Sequence, residues 1–283
     1  MLNSHSNLKK GTRWLVSALA AFLFTTAHLA AAEDSARTIT LAFSDGYAPY
    51  CDSEYPGGGM ATQILEKAFS QLPEYELALD FYPSWEKAEK AVRDGNAEAT
   101  YPYARNETRE VEFDFSVPLA KSLVVWFARQ DTELEGVDVE DLKGLTVAKP
   151  KGFFIHDIDR FLRGGLKLRT TESLKEAFEL LASGEVDLVS ADLYAGNATI
   201  TKLDSIDAED FCYLDHRSPG AALNTLHLMV GRASPGTRDW LTALNKEILK
   251  MKTEGSLKTL QTKALEPVGG IDSGEGFVRR KGL

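Results

Sequence analysis

Arg109, in the run NETREVE at 106–112, is the side chain that most directly suggests chemistry. A guanidinium presents a planar fork of donors that matches the two oxygens of a carboxylate. The same arginine would also suit a surface ion pair with Glu107, Glu110 or Glu112. Asp192 follows a strand-like run at 186–190 and stands where a helix would begin. There an aspartate can cap the helix by accepting backbone N–H groups. It can equally face a ligand, because ligands of α/β sheets collect beyond the carboxyl ends of strands. The loop at 44–50 holds Ser44, Asp45, Tyr47 and Tyr50. Tyrosine combines apolar area with a hydroxyl at one edge, so Tyr47 suits either a binding wall or the packing of its own loop. Trp85, Phe153 and Phe154 offer the same choice between cleft and core.

Other chemistries lack their residues. The three histidines beyond the N-terminal segment, His156, His216 and His227, are widely separated and have no metal-ligand spacing. There is no Gly-x-Ser-x-Gly elbow. Cys51 and Cys212 form no Cys-x-x-Cys pair, and their separation is compatible with a bridge or with separate burial. Gly57-Gly58-Gly59 precedes a helical run and could bare N–H groups to an anion, but it lacks the spacing and the lysine of a nucleotide loop. A plain turn is the simpler reading. No catalytic set, metal site or cofactor is expected.

The elements that must position these residues alternate between strand and helix. Residues 38–43 (TITLAF) and 75–82 suit strands. Between them, Met60, Ile64, Leu65, Ala68, Phe69 and Leu72 recur at three and four, one face of a helix. Ser84 caps a helix from Trp85 to about Asp94, and Gly95 stops it. Strands follow at 98–103, 122–129 and 145–148, then a helix at 173–182 ended near Gly184 and a strand at 186–190. The runs AVRDGNAEAT at 91–100 and LLASGEVDLV at 180–189 echo each other. In both, a helix ends at glycine, an acid lies three residues on, and a strand follows. Two lobes of similar build are implied, with largely parallel sheets covered by helices. Strands at 211–214 and 225–230 and an amphipathic helix at 237–251 complete the pattern, and a glycine-rich tail follows at 269–283.

The first 32 residues read as an export signal. Lys9, Lys10 and Arg13 precede an apolar stretch from Trp14 to Leu29, then Ala30 and Ala32 at small-x-small spacing. Cleavage is expected near Ala32, which places the mature chain in the periplasm. The alternative, a retained anchor, needs about 20 apolar residues. Removing three basic residues moves the formal charge from −10 to −13. So acidic a chain repels nucleic acid and anionic lipid at long range. No membrane insertion is expected of the mature protein, and a monomer is the default.

Six segments in order resemble the family 3 extracellular solute-binding proteins, the periplasmic components of amino-acid ABC importers. They are LAFSDGYAPY at 41–50, the helix near Gly59, PSWEKAEKAVRDGNAEA at 83–99, NETREVEFDFSVPLAKSLVVWF at 106–127, LKGLTVAKPKG at 142–152 with GEVDLVSAD at 184–192, and the C-terminal amphipathic helix followed by Gly-x-x-x-x-Leu. The fourth answers to the family's Thr-x-x-Arg…Phe-Ser-x-Pro stretch. The resemblance implies a type II periplasmic-binding-protein fold, two α/β lobes joined by two hinge crossings around a ligand cleft. Lobe one would be 37–122 plus 224–268, and lobe two 123–223. It implies that Arg109 grips a ligand carboxylate, Asp192 meets its ammonium, and Tyr47 stacks on it. Ser44, Trp85, Tyr103, Gly152 and Phe153 would complete the site. The expected partners are a small solute, an amino acid or related organic anion, and a membrane permease. A sensor handing its closed form to a receptor, and an exported lyase on the same fold, are the alternatives. Pro102 has no N–H to donate, and Ala104 no hydroxyl, which departs from the amino-acid pattern.

Overall fold

Short strands that bury apolar faces under helices build two separate six-stranded sheets. The computed structural model describes residues 36–134, 138–153, 155, 158–203, 208–214, 224–232, 236–268 and 278–279. The export segment therefore lies outside the described residues. The chain runs β1 (Arg37–Phe43), α1 (Met60–Phe69), β2 (Tyr75–Phe81), α2 (Trp85–Arg93), β3 (Ala99–Ala104), α3 (Glu107–Glu112), β4 (Phe113–Phe115) and β5 (Ala120–Ser122). It continues through β6 (Val124–Arg129), β7 (Thr146–Pro150), α4 (Ile158–Arg163), β8 (Lys167–Thr171), α5 (Leu174–Ser183), β9 (Leu188–Asp192), α6 (Leu193–Ile200) and β10 (Phe211–Leu214). It ends with β11 (Asn224–Gly231), α7 (Thr237–Thr253), α8 (Ser256–Leu265) and β12 (Val278–Arg279).

The first sheet has the order β2-β1-β3-β11-β4, with β5 also paired to β11, and the second the order β12-β10-β6-β9-β7-β8. The expectation of largely parallel sheets is only half right. Pairs β1–β3, β7–β8 and β7–β9 are parallel, but β11 runs antiparallel to β3, β4 and β5, and β6 antiparallel to β9 and β10. The reason is connectivity. A parallel neighbour needs a crossover, usually a helix. β6 instead follows β5 after the single residue Leu123, and so enters its sheet directly from the other lobe. β11 follows β10 through residues outside the described set.

The sequence echo is also an echo in space. Ser84 and Ser173 cap α2 and α5 by accepting from Lys87 N and Glu176 N. At the far ends, Asn96 N donates to Ala91 O and Glu185 N to Leu180 O, equivalent closing bonds around Gly95 and Gly184. The two acids have the same task. Glu98 Oε2 accepts from Thr40 N at 2.8 Å, and Asp187 Oδ2 accepts from Thr146 N at 2.7 Å, each tying a helix exit to the neighbouring strand.

Packing then sets where the strand ends point. Trp240 of α7 lies against Phe69 of α1 beside the first sheet, with ring centroids 6.3 Å apart. In the second lobe Phe127 of β6 meets Phe178 of α5 edge-on at 5.1 Å. Gly196 lets α6 lie directly on β6, since a Cβ there would stand 2.2 Å from the Phe127 ring. Within the segment read as a tail, Val278–Arg279 pair with the β10 edge, whose backbone groups offer a ready template.

Candidate functional site

The loop after β1 is held by the start of α1. Met60 N donates to Pro49 O at 2.7 Å, and Ala61 N to Tyr50 O at 2.8 Å. Gly59 permits this approach: its φ is +94°, and an added Cβ would lie 2.6 Å from Tyr50 O. The three glycines thus form a turn, and the N–H groups of Met60 and Ala61 are used on the loop. Pinned there, Tyr47 becomes the hub of an aromatic wall. Its ring stands 5.1 Å from Tyr50, 6.0 Å from Trp85 and 5.3 Å from Phe153.

Seven of the eight residues expected at the site line one cavity: Tyr47, Trp85, Tyr103, Arg109, Gly152, Phe153 and Asp192. Ser44 is not among them. It is buried behind the loop, where its carbonyl faces the Cys51 thiol. The lining also includes Ser122, Ser190 and Asn224, polar groups for which the sequence pattern held no signal. Phe154 lies outside the described residues. The cavity measures about 60 Å³. A water needs roughly 10–15 Å³, so the cavity has room for a few waters.

Arg109 reaches across the cleft from α3, whose N-cap is Asn106. Nη1 donates to Ala104 O at 3.0 Å and Nη2 to Gly152 O at 3.0 Å, the second bond joining the lobes. The guanidinium sits 4.7 Å above the Tyr103 ring, a cation–π arrangement. Its ion partner is not one of the neighbouring acids on α3 but Glu89 of α2, at 3.5 Å. These three contacts leave two of a guanidinium's five donors without a partner among the described residues. Gly152 has φ +78° and faces Trp85. Lys149 Nζ donates to Phe153 O at 2.6 Å, fixing the aromatic in place. Burial, then the charge of Arg109, pulls the Lys149 pKa down.

Asp192 is the opposite case. It is only 2% exposed. Oδ1 caps α6 by accepting from Tyr194 N at 2.9 Å and Ala195 N at 3.0 Å. Oδ2 accepts from Ser122 Oγ at 2.9 Å, Leu123 N at 2.8 Å and Tyr50 Oη at 3.1 Å. One carboxylate therefore ties the first loop, the crossing between sheets and the start of α6. Burial pushes its pKa up to about 6, against the opposing pull of these donors. Burial, and then the charge of Asp192, pushes both Tyr47 and Tyr50 up.

Elsewhere, Cys51 and Cys212 are buried and not bridged to each other. His227 is buried between Ser116 O and Thr225 Oγ1, away from the cavity; His156 and His216 lie outside the described residues. Among the described residues no His, Cys, Asp and Glu group could hold a metal, and no helix is long and apolar enough to cross a membrane.

The sequence model of the bacterial extracellular solute-binding proteins, family 3, matches residues 39–267. No curated protein sequence matches. Among solved structures, the substrate-binding protein of an amino acid ABC transporter from Streptococcus pneumoniae, bound to L-arginine, is similar at TM-score 0.68 and 19% identity, over 81% of this chain and 94% of that one. A histidine kinase sensor domain with similarity to periplasmic binding proteins gives 0.69 and 20%, over 82% and 98%. An ancestral amino acid-binding protein, a precursor of cyclohexadienyl dehydratase, gives 0.64 and 20%, over 80% and 94%.

Proposed function

We infer the function from one premise: this chain belongs to the bacterial extracellular solute-binding proteins, family 3. It captures a small solute bearing a carboxylate, an amino acid or related organic anion, between two lobes at 37–122 plus 224–268 and at 123–223. It delivers that solute to a membrane importer of the ABC class. The observation that carries this reading is Arg109, which bridges the cleft to Gly152 while keeping donors for a ligand. A guanidinium so placed binds the anion and is itself part of closure, so ligand shifts the open–closed balance by preferring the closed form. Export through a signal cleaved near Ala32 places the protein in the periplasm, where a monomer meets its permease.

Binding is favoured over turnover by the state of Asp192. It is the one carboxyl on the cavity lining among the described residues. Both its oxygens already accept protein donors. A general acid must be free to give its proton to a bound group, and this carboxyl is committed to the scaffold.

The test is a thermal-shift and calorimetry screen of the purified exported protein against amino acids, organic acids, polyamines and short peptides. Ligand that binds only the native state raises apparent stability. A saturable shift with an anionic solute that is recovered unchanged is expected. Conversion of the solute to a product would replace this reading with an enzymatic one.

A further inference from the structure

Resting on that proposed solute-binding role, we infer that the cleft selects carboxylates lacking an α-ammonium group over the matching amino acids. The acceptor that should meet an ammonium is already full. A carboxylate has about four lone-pair positions, and Asp192 receives Tyr194 N, Ala195 N, Ser122 Oγ, Leu123 N and Tyr50 Oη. Tyr50 Oη also lies 3.1 Å from Lys121 O, and it has a single hydrogen to give. The three backbone N–H groups hold three of the four positions, and the hydroxyls of Tyr50 and Ser122 compete for the fourth.

No other anion on the lining offers an ammonium a free acceptor. Its charged members are Arg109 and Asp192, and the rest are aromatic, aliphatic or neutral polar groups. Glu89 faces the guanidinium rather than the cavity. An ammonium enclosed here would give up its water while the anion beside it has no acceptor position left for it, which is costly. A carboxylate meets the remaining donors of Arg109, and its apolar body meets Tyr47, Trp85, Tyr103 and Phe153. Pro102, without an N–H, adds to the apolar character of this wall.

The experiment compares matched pairs by calorimetry on the exported protein: 4-methylpentanoate against L-leucine, 3-phenylpropanoate against L-phenylalanine, and glutarate against L-glutamate. At least one deamino acid should bind at least about tenfold more tightly than its amino acid. The double variant Tyr50→Phe with Ser122→Ala removes two donors from Asp192 and should narrow that gap. Amino acids that bind as tightly as their partners in every pair that binds, or a gap unmoved in the double variant, overturn the inference while leaving the solute-binding role intact. If none of the six bind but the wider screen finds another ligand, the inference again fails alone. If no solute of any class binds, the role on which it rests fails with it.

Discussion

The strand ends at β3 and β9 are equivalent places in the two lobes, yet they do opposite work. Each follows a serine-capped helix, a glycine stop and an acid that ties back to the next strand. Each delivers a charged residue toward the cleft. Arg109 arrives with its flat face on Tyr103 and donors in reserve. Asp192 arrives spent, every oxygen turned to the scaffold. Like frameworks thus hold a charge with donors in reserve on one side and a fully engaged one on the other. Position in the fold brings a residue to the cleft, but the donors around it decide what it can do there.

This contrast can be broken in several ways. The largest expected effect is Asp192→Ala, which removes a helix cap and leaves buried donors at Ser122, Leu123 and Tyr50. We expect a loss of about 3 kcal/mol of stability in denaturant unfolding. A loss under about 1 kcal/mol would show that this carboxylate is not structural. Arg109→Ala should instead leave the unfolding midpoint nearly unchanged and weaken a bound carboxylate by roughly 100-fold. Affinity that survives the change would remove Arg109 from the site.

The equivalent acids sharpen the comparison. Glu98→Ala and Asp187→Ala should each cost about 1 kcal/mol, and the two losses should agree within about 0.5 kcal/mol. Clearly unequal losses would mean that the two frameworks are alike in geometry only. The smallest effect is a pH dependence. The folded pKa of Asp192, about 6, lies above its usual value near 4. Between these pH values the folded state binds more protons than the unfolded, so this contribution is full below about pH 4 and lost as pH rises through about 6. The stability difference between the native protein and Asp192→Asn should therefore widen as pH falls through that window. A difference that stays flat would contradict the shift.

Much of the framework is legible in the residues. The apolar spacing of α1 and α7, the caps at Ser84 and Ser173, and the glycine stops are local signals, and the helices stand where those signals put them. The echo between 91–100 and 180–189 was visible because each turn needs its own glycine and acid. α3 was not foreseen, because six residues of mixed charge carry no apolar period. Nor were the antiparallel runs of β6 and β11 legible, since strand direction depends on which lobe a chain enters from. At the site, Arg109 stood out by type, while its ion partner Glu89, which also pairs with Arg93, was not singled out.

By itself the sequence determined the alternation of elements, the repeated unit and the identity of the charged and aromatic groups. All of these follow from periodicity, capping and residue chemistry within a few neighbours. Only the tertiary structure decided that Tyr50, Ser122 and Leu123, which lie about 70 to 140 positions from Asp192, converge on its carboxylate. Hydrogen-bond capacity is a local property, but its satisfaction is set by whatever the fold brings within about 3 Å. That is why one of the two charges keeps hydrogen-bonding capacity in reserve and the other does not.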